Sequence, residues 1–124
     1  MVSNKFRSDD MAARCTPMSN LQAVLGGKWK ILIVWYIAVY KTQRFGELMR
    51  RLEGIARSTL TKQLRELEND GFIHREAYRE IPLRVEYTLT DLGERFIPVL
   101  NQMVAWSEKH LCSSDCAGMV DKKR

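Results

Sequence analysis

A chain of 124 residues is long enough for one domain with a real core, and short for an enzyme that must also wall in a substrate pocket. Its 45% hydrophobic and 28% charged residues describe a soluble globular protein, and a net charge of +5 favours an acidic partner, of which nucleic acid is the commonest. The first segment, MVSNKFRSDDMAARC, is too polar for a secretory signal, and three cysteines without an export signal point to the reducing cytoplasm rather than to a disulfide scaffold.

Residues 1–14 read as a flexible arm. Thr16-Pro17 then supplies an N-cap and a first-turn proline for a short helix running to Leu25, where Gly26-Gly27 stops it. KWKILIVWYIAVY is apolar around most of its circumference, so it is expected to be a central helix contacted on several sides. Its apolar run, 31–40, is too short to span a bilayer, and no membrane role is expected. Residues 41–43 break the pattern. RFGELMRRLEGI places Phe45, Leu48, Met49 and Leu52 at helical spacing with Arg50 and Arg51 facing out, and Gly54 ends it.

The stretch GIARSTLTKQLRELENDGFI, residues 54–73, holds the most informative helix. Leu60, Leu64 and Leu67 fall on one narrow stripe, its buried side, while Ser58, Thr61, Lys62, Arg65 and Asn69 lie opposite. Arg57 and Lys62 make its first half cationic, and Glu66, Glu68 and Asp70 make its second half acidic, the reverse of what the helix dipole favours. A polyanionic partner would suit that arrangement; a solvated face of mixed charge is the alternative. Two amphipathic helices joined through a short turn around a glycine form a helix-turn-helix.

Past Asp70-Gly71 the period becomes alternating. FIHREAY and RVEYTL read as strands separated by REIPLR, a two-stranded wing with Pro82 at its tip and Arg79 and Arg84 in its loop. Thr90 caps a final long helix, DLGERFIPVLNQMVAWSEKHL, with Pro98 expected to kink it. Residues 112–124 show no period and read as a disordered tail. The expected fold is therefore mainly α with a small antiparallel β-hairpin, an α+β winged helix-turn-helix over residues 15–111.

The pieces GGKWKILI, RFGELMRRLEGI, LTKQLRELENDGFI, PLRVEYTLTDLGE and PVLNQMVAW occur in order over residues 15–106, and on them the sequence resembles the HxlR family of bacterial MarR-like transcription regulators. The resemblance implies a homodimer that binds a short pseudo-palindromic operator in double-stranded DNA, with repression the expected mode. It also implies that the helix over 57–69 enters the major groove and that the terminal helices form the dimer. Phe96, Val99, Leu100, Met103 and Trp106 are the interface candidates. Two positions depart from the family's pattern. Ala56 stands where a small polar residue usually starts the recognition helix, a cap whose loss typically costs about 1 kcal/mol. Thr16 separates Cys15 from the proline that usually follows it.

For DNA, Ser58, Thr61, Lys62 and Arg65 share the outward stripe and are assigned to base edges. Arg57, nearer the buried edge, is assigned to phosphate. Lys28, Lys30 and Arg44 sit at helix starts, where backbone N–H groups and a cation can jointly hold a phosphate oxygen. Arg79 and Arg84 are candidates for the minor groove or flanking backbone. Ordinary surface charge is the alternative for each arginine taken singly. Trp29, Trp35 and Trp106 read first as core or dimer contacts, with an aromatic effector pocket between the terminal helix and the core as the second reading.

Some members of the resembled family sense oxidants or electrophiles through an N-terminal cysteine. Cys15 sits beside Arg14 and before a helix N-terminus, which lowers a thiol pKa; it is a candidate sensor, with an inert thiol as the alternative. Cys112, Cys116 and His110 lack a dependable fourth ligand, so no metal site is assigned, and no cofactor is expected. His74 and His110 belong to no triad, and LGGKW lacks the spacing of a phosphate loop, so no enzyme is expected. The rival to a DNA-binding regulator is a winged-helix protein-interaction module.

Overall fold

In the computed structural model, which describes residues 16–111, Thr16 and Ser19 open the first helix, α1 (Pro17–Leu25), with a reciprocal cap. The Ser19 N–H donates to the Thr16 hydroxyl at 3.1 Å, and the Thr16 N–H donates to the Ser19 hydroxyl at 2.9 Å. Pro17 fills the first turn, as its sequence position indicated. Cys15, Cys112 and Cys116, the arm 1–14 and the tail 112–124 lie outside the described residues, and so do the sensing and metal readings that rest on them.

Helix α2 (Lys30–Tyr40) runs through the centre, with Ile33, Val34 and Ile37 fully buried. Lys41, at φ 72°, turns the chain out of it. The following residues were expected to be a plain break, but Gln43–Arg44 form a strand, β1, before α3 (Phe45–Arg51) and α4 (Arg57–Asn69). The connection between α3 and α4 passes through Gly54 at φ 89°, a conformation that strains residues bearing a Cβ. Glycine there lets the second helix start without lengthening the turn.

The wing strands are β2 (Ile73–Tyr78) and β3 (Arg84–Leu89), antiparallel from Ile73 opposite Leu89 to Tyr78 opposite Arg84. β1 pairs with the other edge of β3, Gln43 opposite Tyr87, so the sheet has three strands in the order β1-β3-β2 rather than being a bare hairpin. This extra strand ties the wing's root to the start of α3.

The single final helix expected from the sequence is two helices, α5 (Asp91–Arg95) and α6 (Ile97–His110), parted at Phe96. Pro98 does not kink a continuous helix. It lies in the first turn of α6, where a missing N–H breaks no helical bond. Thr90 joins this unit to the helix-turn-helix: its hydroxyl accepts from the Gly93 N–H at 3.1 Å and donates to the Gly71 carbonyl, at the turn that ends α4. Gly93 is packed so closely that a Cβ on it would lie 2.3 Å from the Phe72 carbonyl oxygen.

Leu60, Leu64 and Leu67 enter one core with Ile33, Ile37, Leu48, Leu52, Ile73 and Leu100. Two sequence readings change here. Leu100, assigned to a dimer interface, is 2% exposed within the single chain, so it is already spent on the core. Arg51, expected to face out, is half-buried; its Nε donates to Gln43 Oε1 at 3.0 Å and its guanidinium lies 3.7 Å from the Tyr40 ring. Among the described residues no single helix is long and apolar enough to cross a membrane.

Candidate nucleic-acid interface

The outer face of α4 is a surface of polar side chains standing on a leucine base. Leu60, Leu64 and Leu67 are buried, and Arg57, Ser58, Thr61, Lys62 and Arg65 are all exposed. The helix starts at Ala56, which offers no side-chain acceptor, and there is no acid in the first turn. Its leading N–H groups are therefore open to an outside acceptor such as a phosphate oxygen. Thr61 donates its hydroxyl to the Arg57 carbonyl at 3.0 Å, which leaves the oxygen's lone pairs outward as an acceptor. Arg57 sets its guanidinium 4.9 Å from the Phe45 ring, a contact that joins the two helices of the motif at their N-terminal ends.

Glu66 is a carboxylate beside Lys62 on this face, and it is compensated from behind. Lys30 Nζ lies 2.7 Å from Glu66 Oε1, and Lys62 Nζ lies 4.0 Å from Oε2. The hydrogen bond from Lys30 is the main cause that holds the Glu66 carboxyl below its usual range; partial burial opposes it, and the Lys30 and Lys62 charges assist. Lys30 was assigned to phosphate, but its side chain is only 9% exposed and is engaged with Glu66, so it is withdrawn from the contact set. Lys62 is 70% exposed and remains in it.

The other helix-start cations divide. Lys28 is exposed with its Nζ 4.8 Å from the Trp29 ring. Arg44, also exposed, has its backbone N–H donated to Glu47 Oε1 at 2.8 Å, so that N–H is taken; its side chain, 56% exposed, lies with Nε 3.9 Å from Glu86 Oε2, a loose pairing from which a phosphate could draw it. In the wing, Arg79 is exposed. Arg84 is not a spare cation: it donates to Glu80 Oε2 at 2.8 Å, reaches Glu86 on its own strand, and lies 3.9 Å from the Tyr78 ring. The hydrogen bonds to Glu80 and then Glu86 raise its pKa further. Arg84 is a clamp across the wing loop and is also withdrawn.

Between α4 and the sheet runs a groove lined by Phe45, Thr61, Arg65, Glu68, Arg75 and Tyr87. Arg75, exposed on β2, was missed by sequence reasoning because it lies among alternating residues and no helical stripe marks it. The Lys30–Glu66 pair was missed too. A signal was present: Lys30 shares a face with Ile33, Val34 and Ile37, and a lysine on a buried stripe needs an acid.

The terminal helix exposes Val99, Met103 and Trp106, the last 58% exposed, on one side of α6. Phe96 is instead turned inward, edge-on to Phe72 with centroids 5.9 Å apart. The aromatic pocket expected between the terminal helix and the core is a cleft of about 230 Å³, and Ile37, Thr88, Leu89, Glu94 and Ile97 line it with no aromatic ring.

Comparison with known proteins agrees with this architecture. Residues 24–115 match the family model for the HxlR-like helix-turn-helix. YdeP of Bacillus subtilis (strain 168), described as an uncharacterized HTH-type transcriptional regulator, is 40% identical over 105 residues, which cover 85% of this chain and 80% of that one. YybR of the same organism, described in the same terms, is 44% identical over 87 residues, 70% of this chain and 69% of its own. Among solved structures, the redox regulator HypR in its oxidized form is similar with a TM-score of 0.73 at 39% identity, over 79% of this chain and 100% of that one. The winged arrangement, the exposed polar face of α4 and these matches lead to one assignment: the chain belongs to the HxlR-like helix-turn-helix family of transcriptional regulators.

Proposed function

We propose that two copies of this chain bind a pseudo-palindromic operator in duplex DNA and repress transcription from it. In this reading α4 lies in the major groove, with Ser58, Thr61, Lys62 and Arg65 at base edges and Arg57 on a phosphate beside the open helix start. Lys28 and Arg44 contact the flanking backbone, and Arg79 on the wing reaches the neighbouring minor groove or its phosphates. The carrying observation is the continuous exposed arc of hydroxyls and cations on a helix backed by three buried leucines, with Glu66 neutralised by Lys30. Val99, Met103 and Trp106 provide an apolar patch suited to a twin copy.

Genomic fragments selected by the protein, followed by anisotropy titrations over a range of salt, test the proposal. Binding should weaken steeply with salt. Arg65→Ala should lower operator affinity and relax base preference by about 1–3 kcal/mol per lost bidentate contact. Intact affinity in both Arg65→Ala and Lys62→Ala would show that α4 is not the reading element.

HypR's description as a redox regulator favours a redox response here too, and Cys15, beside Arg14 in the sequence, is the candidate thiol for it. Operator affinity should then respond to oxidant in the wild type and not in Cys15→Ser; equal responses exclude that cysteine as the trigger.

A further inference from the structure

Lys30 is a cation that cannot reach a ligand, placed under a helix whose outer face is cationic. Its side chain is 9% exposed, its Nζ is 2.7 Å from Glu66 Oε1, and it rises from the same face of α2 as the buried Ile33, Val34 and Ile37. Glu66 leans between two lysines, with its second oxygen 4.0 Å from Lys62 Nζ on the solvent side. Lys62 and Glu66 are four residues apart on one helix, the spacing at which a lysine and a glutamate pair by themselves. Without the buried lysine, Lys62 would be the only cation beside Glu66 among these three, and the two exposed charges would cancel on the face of α4.

We infer that Lys30 is a positioning residue for DNA binding: by occupying Glu66 from inside the fold it leaves the charge of Lys62 in surplus for the phosphate backbone. The inference rests on the reading of α4 as the groove-bound helix. Lys30, Glu66 and Lys62 together carry one net positive charge, all of it displayed on the outer side. Removing the inner cation brings that sum to zero without altering any atom that faces the DNA. The counterions released on binding should fall by those belonging to about one phosphate contact, although the mutated residue is buried.

The test is the slope of log affinity against log salt for duplex operator, measured on the full chain. Lys30→Met retains the apolar stem and removes the charge. It should flatten the slope by about 0.9 and weaken binding at 0.15 M salt by roughly three- to ten-fold. Lys30→Met combined with Glu66→Gln should recover the wild-type slope, and Lys30→Arg should never lose it. Lys62→Ala should flatten the slope in the wild type. A purely structural Lys30 predicts a lower melting temperature with an unchanged slope and no recovery by Glu66→Gln; that result overturns the inference. Should Lys30→Met not fold, Lys30→Gln carries the same comparison, and an undiminished slope in it is equally fatal. If Lys62→Ala leaves the wild-type slope unchanged, the α4 reading itself fails, and that failure is visible before any Lys30 variant is made.

Discussion

Arg84 and Glu80 face each other across the wing loop, guanidinium nitrogen to carboxylate oxygen at 2.8 Å, and the same guanidinium also engages Glu86 and covers the Tyr78 ring. One arginine thus ties the loop to β3 and to the end of β2. Its hydrogen bond holds the Glu80 carboxyl below its ordinary value of 4.5, with burial opposing and the Arg84 charge assisting. A carboxylate depressed in the folded state stabilises fully above its unfolded value and loses that contribution as pH falls through the lower folded value. Amide exchange in β2 and β3 should therefore be steady, after correction for intrinsic rates, from neutrality down to about pH 5, and protection should drop below that. Glu80→Gln should remove the acid step. A step that persists in Glu80→Gln assigns it to another carboxyl.

Arg84→Ala gives a second view of the same clamp. Because Arg84 is committed to Glu80 and Glu86, its loss should loosen the wing and lower amide protection in β2 and β3. Arg79→Ala should do the reverse, keeping strand protection and flattening the slope by about 0.9. If the two variants behave alike, the separation of clamp from contact is wrong.

The start of α4 invites a gain of stability. Ala56 has extended backbone angles, φ −79° and ψ 150°, suited to an N-cap, yet no side-chain acceptor. Ala56→Ser should raise stability by about 0.5–2 kcal/mol, read as a higher denaturant midpoint with an unchanged slope of unfolding. Since the new hydroxyl occupies an N–H otherwise open to phosphate, operator affinity should rise less than stability, or fall. A stability loss would mean that the chain enters α4 in another geometry.

Much of this arrangement was legible because it is local and periodic. The leucine stripe of α4, the bounds of β3 and the Thr16 cap follow from spacings of two to four residues, and the structure keeps them. What escaped is pairwise and distant, or too short to show a period. β1 has only two residues, so no alternation can declare it. The partners of Lys30 and Arg84 are set by tertiary packing, and a sequence stripe cannot distinguish a cation that meets phosphate from one that meets a carboxylate. Leu100 and Val99 are neighbours in an apolar run, and periodicity alone does not say that Leu100 is the one buried and Val99 the one exposed.

Gly93 marks where α5 crosses the backbone at Phe72. Gly93→Ala would force a methyl to within 2.3 Å of that carbonyl oxygen, and backbone cannot yield as a side-chain tip can. The expected loss is about 1–3 kcal/mol, seen as a lower melting temperature. Because Thr90, just before α5, also bonds the Gly71 carbonyl, the variant should loosen the turn after α4 as well. A wild-type melting temperature in Gly93→Ala would show that α5 is free to shift away.

Val99, Met103 and Trp106 recur at spacings of four and three along α6, so they share one side of it, and each remains exposed in the single chain. Leu100 and Phe96, turned into the core, cannot contribute much to an interface. If this side holds a twin copy, Met103→Glu sets two carboxylates into an apolar contact, where they are desolvated and repel each other. Light scattering coupled to gel filtration should then give the dimer mass for the wild type and the monomer mass for Met103→Glu, with circular dichroism unchanged because Met103 is outside the core. Operator affinity should fall steeply, since each half-site would be held by one reading helix without a tethered second. Met103→Leu, apolar and close in volume, should keep the dimer. A Met103→Glu protein that still runs as a dimer would move the interface off α6 and leave the apolar patch without its assigned occupant.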